Sequence, residues 1–279
     1  MNPMTEIDWN EVWKDQMLRS REVSTARECA SIWESRECAL KFWNMSKENR
    51  NRVEETIAET EITSESRVLD IGAGPGTLAI PFAKRVSHVT VVEPAEGMIS
   101  VLREKMAEEG VGNIKVVQKR WEDVSVADDL DPPYDVVIAS YSLGMPDIRL
   151  AIEKMIEAAS GWIYLYHFAG ETHWDLDGRE LWPRLHGKEY TPGPKSDVLY
   201  NVLYQMGIYP NVRSFKLQHA QRFGSMDEAM EYFRHEYRIS TPEQEAIVAE
   251  YLARVLKEEN GGFVLPASSV RVKIWWKKE

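Results

Sequence analysis

Two cysteines, Cys29 and Cys38, are all that this 279-residue chain contains. Neither a second pair nor a nearby histidine completes a tetrahedral metal site around them, so we expect two reduced, partly buried thiols and no metal. That pattern fits a reducing, cytoplasmic setting. Long apolar runs are missing too. Nothing approaches the ~18 uninterrupted apolar residues of a membrane-spanning helix. The opening residues, with Glu6, Asp8, Glu11, Lys14 and Asp15, lack the apolar centre of a secretion signal. No membrane partner is expected. Basic residues are outnumbered, 34 Lys and Arg against 45 Asp and Glu, giving a formal net charge of −11. They are also scattered, so no basic stripe can displace counterions from a phosphate backbone, and nucleic acid is disfavoured as a partner.

What is present is ordinary globular composition, 43% hydrophobic and 28% charged. The length suits one large domain, or a domain with an appendage, burying about three quarters of the surface an unfolded chain exposes. Residues 1–62 read as a helical lid or substrate segment. Trp9, Trp13 and Met17 recur at helical spacing, followed by Ala26, Ala30, Trp33 and Leu40, then Val53 and Ile57, with Ser46 as a helix start. From Arg67 the pattern changes to short apolar runs alternating with amphipathic stretches, the mark of a parallel sheet covered by helices. Strands are predicted at 68–71, 89–92, 114–118, 136–140 and 162–168, and helices near 77–85, 96–109 and 147–159. The stretch 169–196, with His173, Trp174, Trp182, His186 and the turn Thr191-Pro192-Gly193-Pro194, reads as an inserted loop of lid or binding type, unless short helices hide in it. A helix at 197–206 and a strand from Val212 to about Gln218 follow. Two helices within 225–258 each open on a capping box, Ser225 with Glu228 and Thr241 with Gln244. The last strand sets Val270, Val272, Ile274 and Trp276 on one side.

One segment carries chemistry. Val68-Leu69-Asp70-Ile71-Gly72-Ala73-Gly74-Pro75-Gly76-Thr77 places a buried-type strand before three alternating glycines and a helix. Such glycines let the backbone approach a ligand closely, and Asp70 can accept hydrogen bonds from a cationic or hydroxylated group. Thr77 stands where the dinucleotide fingerprint needs glycine, which argues against a nicotinamide or flavin dinucleotide. The next strand ends in Val91-Val92-Glu93-Pro94, a carboxylate suited to both hydroxyls of a ribose.

VLDIGAGPGT followed by VTVVEPAEGM resembles the class I S-adenosylmethionine-dependent methyltransferases, by motif over about residues 65–170. The resemblance implies a doubly wound, mostly parallel seven-stranded α/β sheet, here residues 63–279 with a helical segment before it and a helical insertion near its end. It also implies S-adenosylmethionine as cofactor, S-adenosylhomocysteine as product and a methyl transferase activity. Gly72, Gly74 and Gly76 would lie against the cofactor's methionine part, Glu93 would hold the ribose and Met98 would pack near ribose and adenine, with Asp70, Ala73 and Pro94 also expected among the cofactor-binding residues. Trp121, Glu122 and Asp123 follow the third strand. One of the two acids is expected at the adenine edge, and Trp121 either flanks the base or packs. Ser140 and Tyr141 end the fourth strand, where the family places the reactive end of the cofactor and the substrate. Asp131-Pro132-Pro133-Tyr134 resembles the motif of base and amide methylases but precedes its strand, so it reads as a turn.

Methyl transfer from a sulfonium asks the protein for alignment, desolvation and sometimes a base. Tyr141, Asp147, His167 and His173 occupy suitable positions, with His167 first and Tyr141 beside it; a hydrogen-bonded structural histidine is the competing reading of His167. A small-molecule acceptor is the leading expectation. A protein side chain, or a non-catalytic cofactor-binding module that regulates a partner, are the alternatives. The sequence is silent on oligomeric state.

Overall fold

The computed structural model describes residues 7–23, 33–48 and 50–279. Cys29, Ala26 and Ala30 lie outside them; Cys38 is half-buried and free. Contacts divide the chain into two units, so the expected segment 1–62 is shared between them. A sheet unit comprises residues 28–167, 200–213 and 273–279, and a helical unit comprises 1–27, 168–199 and 214–272.

Strands β1 (Arg67–Ile71), β2 (His88–Val92), β3 (Ile114–Val117), β4 (Tyr134–Ser140) and β5 (Ala159–Phe168) form the centre of the sheet. Every pairing among them is parallel: β1 with β2 and β4, β2 with β3, β4 with β5. With β6 (Asn211–Phe223) and β8 (Gly262–Lys277) the order is β3-β2-β1-β4-β5-β8-β6, and the short β7 (Lys257–Glu259) pairs antiparallel with β8. Val68, Leu69 and Ile71, Val89 and Val91, and Val136, Val137 and Ile138 are all buried, as near-continuous apolar strands must be when both faces are covered. From β1 the chain winds outward to β2 and β3 on one side and to β4 and β5 on the other. The resulting switch point opens a crevice at the carboxyl ends of β1 and β4.

Of the sheet unit's helices, α2 (Arg36–Glu48) packs on α5 (Glu96–Glu108), α3 (Arg50–Ala58) follows it, and α4 (Ala79–Ala83) is short. The approach of α2 is close: a Cβ on Gly97 would stand 2.6 Å from the carbonyl oxygens of Trp33 and Glu34. Ser46 does not start a helix. It lies inside α2, and its hydroxyl donates to the Trp43 carbonyl at 2.6 Å, the back-bonding that serine offers within a helix. Helix α7 (Ile148–Ala158) has the expected apolar face and is capped by Asp147, which accepts from the Leu150 N–H at 3.0 Å.

In the helical unit, α1 (Trp9–Glu22) buries Trp13 completely. Half of the stretch 169–196 is a helix, α8 (His173–His186), the alternative to a plain loop. Gly178 and Pro183 inside it mask the helical pattern, and its capping box is Thr172 with Asp175 rather than with a longer acid. Helix α9 (Ser196–Gln205) comes next. Leu181, Trp182 and Leu185 of α8 pack with Phe233 and Tyr237 of α10 (Met226–Glu236) or its cap, and with Val248, Tyr251 and Leu252 of α11 (Pro242–Val255). The box on α11 is complete. On α10 only half of it forms: Ser225 accepts from the Glu228 N–H, but the Glu228 carboxylate accepts from Gly224 instead. Strand β6 runs past the expected Gln218 to Phe223. On β8, Val272, Ile274 and Trp276 are buried as expected, whereas Val270 is exposed and Arg271 and Lys273 are buried on the opposite side. Among the described residues no helix is long and apolar enough to cross a membrane.

Candidate functional site

β1 carries Asp70 into the sheet and ends at the glycine turn. The Gly72 N–H donates to the Val92 carbonyl at 2.7 Å, tying the turn to the tip of β2. Gly72 and Gly76 have φ of +69° and +85°, and added Cβ atoms would collide with Ser142 Cβ at 2.3 Å and Leu102 Cδ1 at 2.4 Å. These two glycines serve packing as much as conformation. Gly74 differs: a Cβ there would meet only Met98 Sδ, at 3.8 Å, so its backbone borders open space.

Two carboxylates stand at this turn. Glu93, after β2, accepts from the Gly74 N–H at 2.9 Å and the Ala95 N–H at 3.0 Å, each oxygen keeping a second lone pair for a ligand. Burial pushes its carboxyl above the usual range while those two N–H bonds pull it back. Asp70 is 2% exposed, and its Oδ2 has no hydrogen-bond partner. Burial, then the charge of Glu93, push Asp70 up to about 7. A second buried, unpartnered oxygen is Thr77 Oγ1. Orphaned polar atoms of this kind cost stability unless a ligand satisfies them. An adenosyl amino acid, with hydroxyls and an ammonium group to donate, fits this donor-poor, acceptor-rich edge.

The third-strand candidates separate. Trp121 opens a single 3-10 turn, 121–123, and is 3% exposed. Its Nε1 donates to the Ala151 carbonyl at 3.0 Å, while Lys154 donates to its carbonyl and lies 5.1 Å over its ring. Those contacts are packing against α7. Glu122 and Asp123 are both exposed, so neither is singled out by burial. Asp131 to Pro133 precede β4 as a turn, and Tyr134 begins the strand with its hydroxyl donating to Thr90 at 2.9 Å.

At the tips of β4 and β5 the chain bends sharply. Ser140 pairs with Tyr166, and Tyr141 follows at φ +56°, a left-handed conformation that costs an aromatic residue energy and recurs where function fixes the backbone. Its N–H donates to the Tyr166 carbonyl at 2.9 Å. Ser142 Oγ donates to the Ile71 carbonyl, locking this bend onto the glycine turn. Arg52 of α3 donates to the Tyr141 hydroxyl and holds its guanidinium 5.2 Å from the ring centre. Tyr166 lies 6.4 Å from Tyr141 by centroids, and burial raises its phenol. His167 follows at the end of β5, 7% exposed. Asp147 caps α7, and His173 belongs to the helical unit. The fold brings Asp70, the glycines, Glu93, Met98 and Tyr141, all expected from the sequence, to one end of the sheet. Thr77 and Arg52 stand there too, and the sequence did not single them out: Arg52 is a lone arginine in a polar helix with no motif around it.

Residues 68–160 match a family model described as a methyltransferase domain. An uncharacterised protein of Haemophilus influenzae is 31% identical over 164 residues, 57% of each chain. The uncharacterised methyltransferase YcgJ of Bacillus subtilis is 29% identical over 119 residues, 41% of this chain and 46% of that one. The chain thus spans about half the length of these curated relatives. The fold is shared more widely: a crystal structure of a protein described as a methyltransferase from Bacillus halodurans superposes with a TM-score of 0.56 at 17% identity, covering 81% of this chain and 98% of that one. YcgJ superposes at 0.51 and 19% identity, over 80% and 97%. The glycine turn with Asp70 and Glu93, the order of the parallel strands and the matched family model agree: residues 68–160 form a methyltransferase domain, on a fold shared with the two solved structures.

Proposed function

We propose that the chain transfers a methyl group from S-adenosylmethionine to a small-molecule acceptor. The observation that carries the small-molecule reading is the Arg52-braced Tyr141 beside Tyr166 at the tips of β4 and β5. A strained, half-buried aromatic corner suits a compact planar ligand better than an extended polymer, and the net charge of −11 disfavours nucleic acid.

In this reading Asp70, Gly74 and Thr77 hold the amino-acid end of the cofactor and Glu93 holds its ribose, with Met98 alongside. Trp121 acts from behind, fixing the turn after β3, and Glu122 or Asp123 meets the adenine edge. When bound, S-adenosylmethionine supplies an electrophilic methyl group on a sulfonium. The protein's own contribution is geometric: Ser140 and the bend at Tyr141 set the floor under the acceptor, and alignment alone is worth roughly 7–11 kcal/mol. His167 is the base that receives the acceptor's proton on a ring nitrogen where the nucleophile is a hydroxyl or amine, and the Tyr141 hydroxyl orients that nucleophile.

The test is S-adenosylhomocysteine formation by purified protein supplied with cofactor and either the low-molecular-weight filtrate or the retained macromolecules of a cell extract. Turnover with the filtrate alone is the expected result. Turnover only with the macromolecules would move the acceptor to a protein or RNA. Cofactor binding without turnover in either fraction would favour a regulatory module.

A further inference from the structure

The helical unit brings together two imidazoles, a guanidinium and two flat rings that the methyl-transfer reading does not use. His173 and His219 lie 4.6 Å apart by ring centroids, and Trp174 stands edge-on to His173 at 4.8 Å. The Arg271 guanidinium lies 4.3 Å over the Phe168 ring and 5.7 Å from that of Trp174. Arg271 is only 8% exposed, and its Nε donates to Ser269 Oγ at 2.7 Å. His173, Trp174, His219 and Phe168 are each half-buried, so the rings around the guanidinium keep part of their surface in solvent.

The charged groups around His173 are few. On β8 there is Arg271, on β6 His219, and on α8 Asp175. Asp175 is already engaged: Lys195 pairs with it at 2.8 Å, and Thr172 and Tyr190 donate to it. Lys195 adds a further positive charge 5.6 Å from the Phe168 ring. Burial, then His219 and Arg271, push His173 down to about 4, against the opposite pull of Asp175, so its imidazole is neutral near pH 7. Its Nδ1 is buried and has no hydrogen-bond partner. Positive potential, an unsatisfied imidazole nitrogen and apolar flat walls are the complement of an oxyanion mounted on a planar apolar body.

We propose that Arg271 and His173 bind the carboxylate of a planar, apolar carboxylic acid whose ring lies against Phe168 and Trp174. An anion beside His173 favours its protonated form, so binding draws a proton from solvent onto the imidazole and tightens as pH falls toward 5. The proposal rests on residues of the helical unit alone and does not depend on the preceding reading.

The test uses the full chain and benzoate as probe, by titration calorimetry near pH 5, where benzoate is still mostly ionised, in two buffers of different ionisation enthalpy. Benzoate is expected to bind with net proton uptake, and the neutral isostere benzamide about tenfold more weakly or worse. Arg271→Met should lose a similar factor, and His173→Gln should bind without proton uptake. Because a buried arginine supports the fold, Arg271→Lys is measured beside it. It keeps the charge but not the flat stacking plane, and affinity between wild type and Arg271→Met is expected. No binding of benzoate to wild type, equal affinity in either arginine variant, or the absence of proton uptake would overturn the site. Inorganic phosphate binding as tightly as benzoate would overturn the planar-acid class. S-adenosylhomocysteine affinity, measured in parallel, keeps the two readings apart: intact cofactor binding with no benzoate binding sinks the site alone, and the converse sinks methyl transfer alone.

Discussion

The sheet unit and the helical unit each bury a titratable group whose charged form burial disfavours, with opposite consequences for pH. Asp70 is held up at about 7 against 3.8 for the free group, so the folded state binds the extra proton between those values. Its contribution is fully present below pH 4 and is lost as pH rises through 7. His173 is held down at about 4 against 6.5, so there the unfolded state binds the extra proton. That contribution is present above pH 6.5 and lost as pH falls through 4. One unit stores instability at neutral pH in a site awaiting a hydrogen-bond donor, and the other stores it in acid.

The sharpest way to separate them is Asp70→Asn. Denaturant unfolding of the wild type should show stability falling between pH 4 and 7, and the variant should lack that fall and be up to about 4 kcal/mol more stable at pH 7, while binding S-adenosylhomocysteine poorly. A profile unchanged in shape would remove Asp70 from the account. Next in size are the glycines. Gly76→Val, at φ +85° and against Leu102, should cost about 3 kcal/mol, whereas Gly74→Ala, with open space before it, should cost about 1 kcal/mol and show mainly as weakened cofactor binding. Equal losses of stability would mean that the turn has no ligand-facing member. His173→Gln should flatten the acid limb between pH 4 and 6.5 by about 2 kcal/mol, after allowing for solvent screening of a partly exposed ring. If the limb persists, another group in the helical unit carries it. The smallest effect compares helix starts. Thr241→Ala, breaking a complete box, should cost about 1 kcal/mol, and Ser225→Ala, breaking half of one, about half as much by thermal unfolding.

The same contrast governs how much could be read in advance. In the sheet unit each strand is short, apolar and bounded by turn residues, and the glycine turn has a fixed spacing, so β1 to β5, Asp70 and Glu93 were all legible. The helical unit resisted. Gly178 and Pro183 broke the periodicity of α8, and the exposed Val270 departs from an alternation that holds only where β8 is covered on both sides. Trp121 illustrates another limit: its position in the chain suits a ligand, and only the contact with Ala151 shows that its indole N–H is already used. Arg52 was invisible for the reverse reason, since its importance lies in Tyr141, far along the chain.

Strand β8 has a further consequence, for the order in which the molecule assembles. Residues 262–272 serve the helical unit and 273–279 the sheet unit, where the Lys278 N–H and Nζ bond the carbonyls of Gly161 and Ala159, each at 2.8 Å. During synthesis β5 is made more than a hundred residues before this partner. Its edge therefore stays unpaired on the ribosome until residues beyond Lys273 emerge, an interval in which an apolar edge strand is open to chaperones or to aggregation.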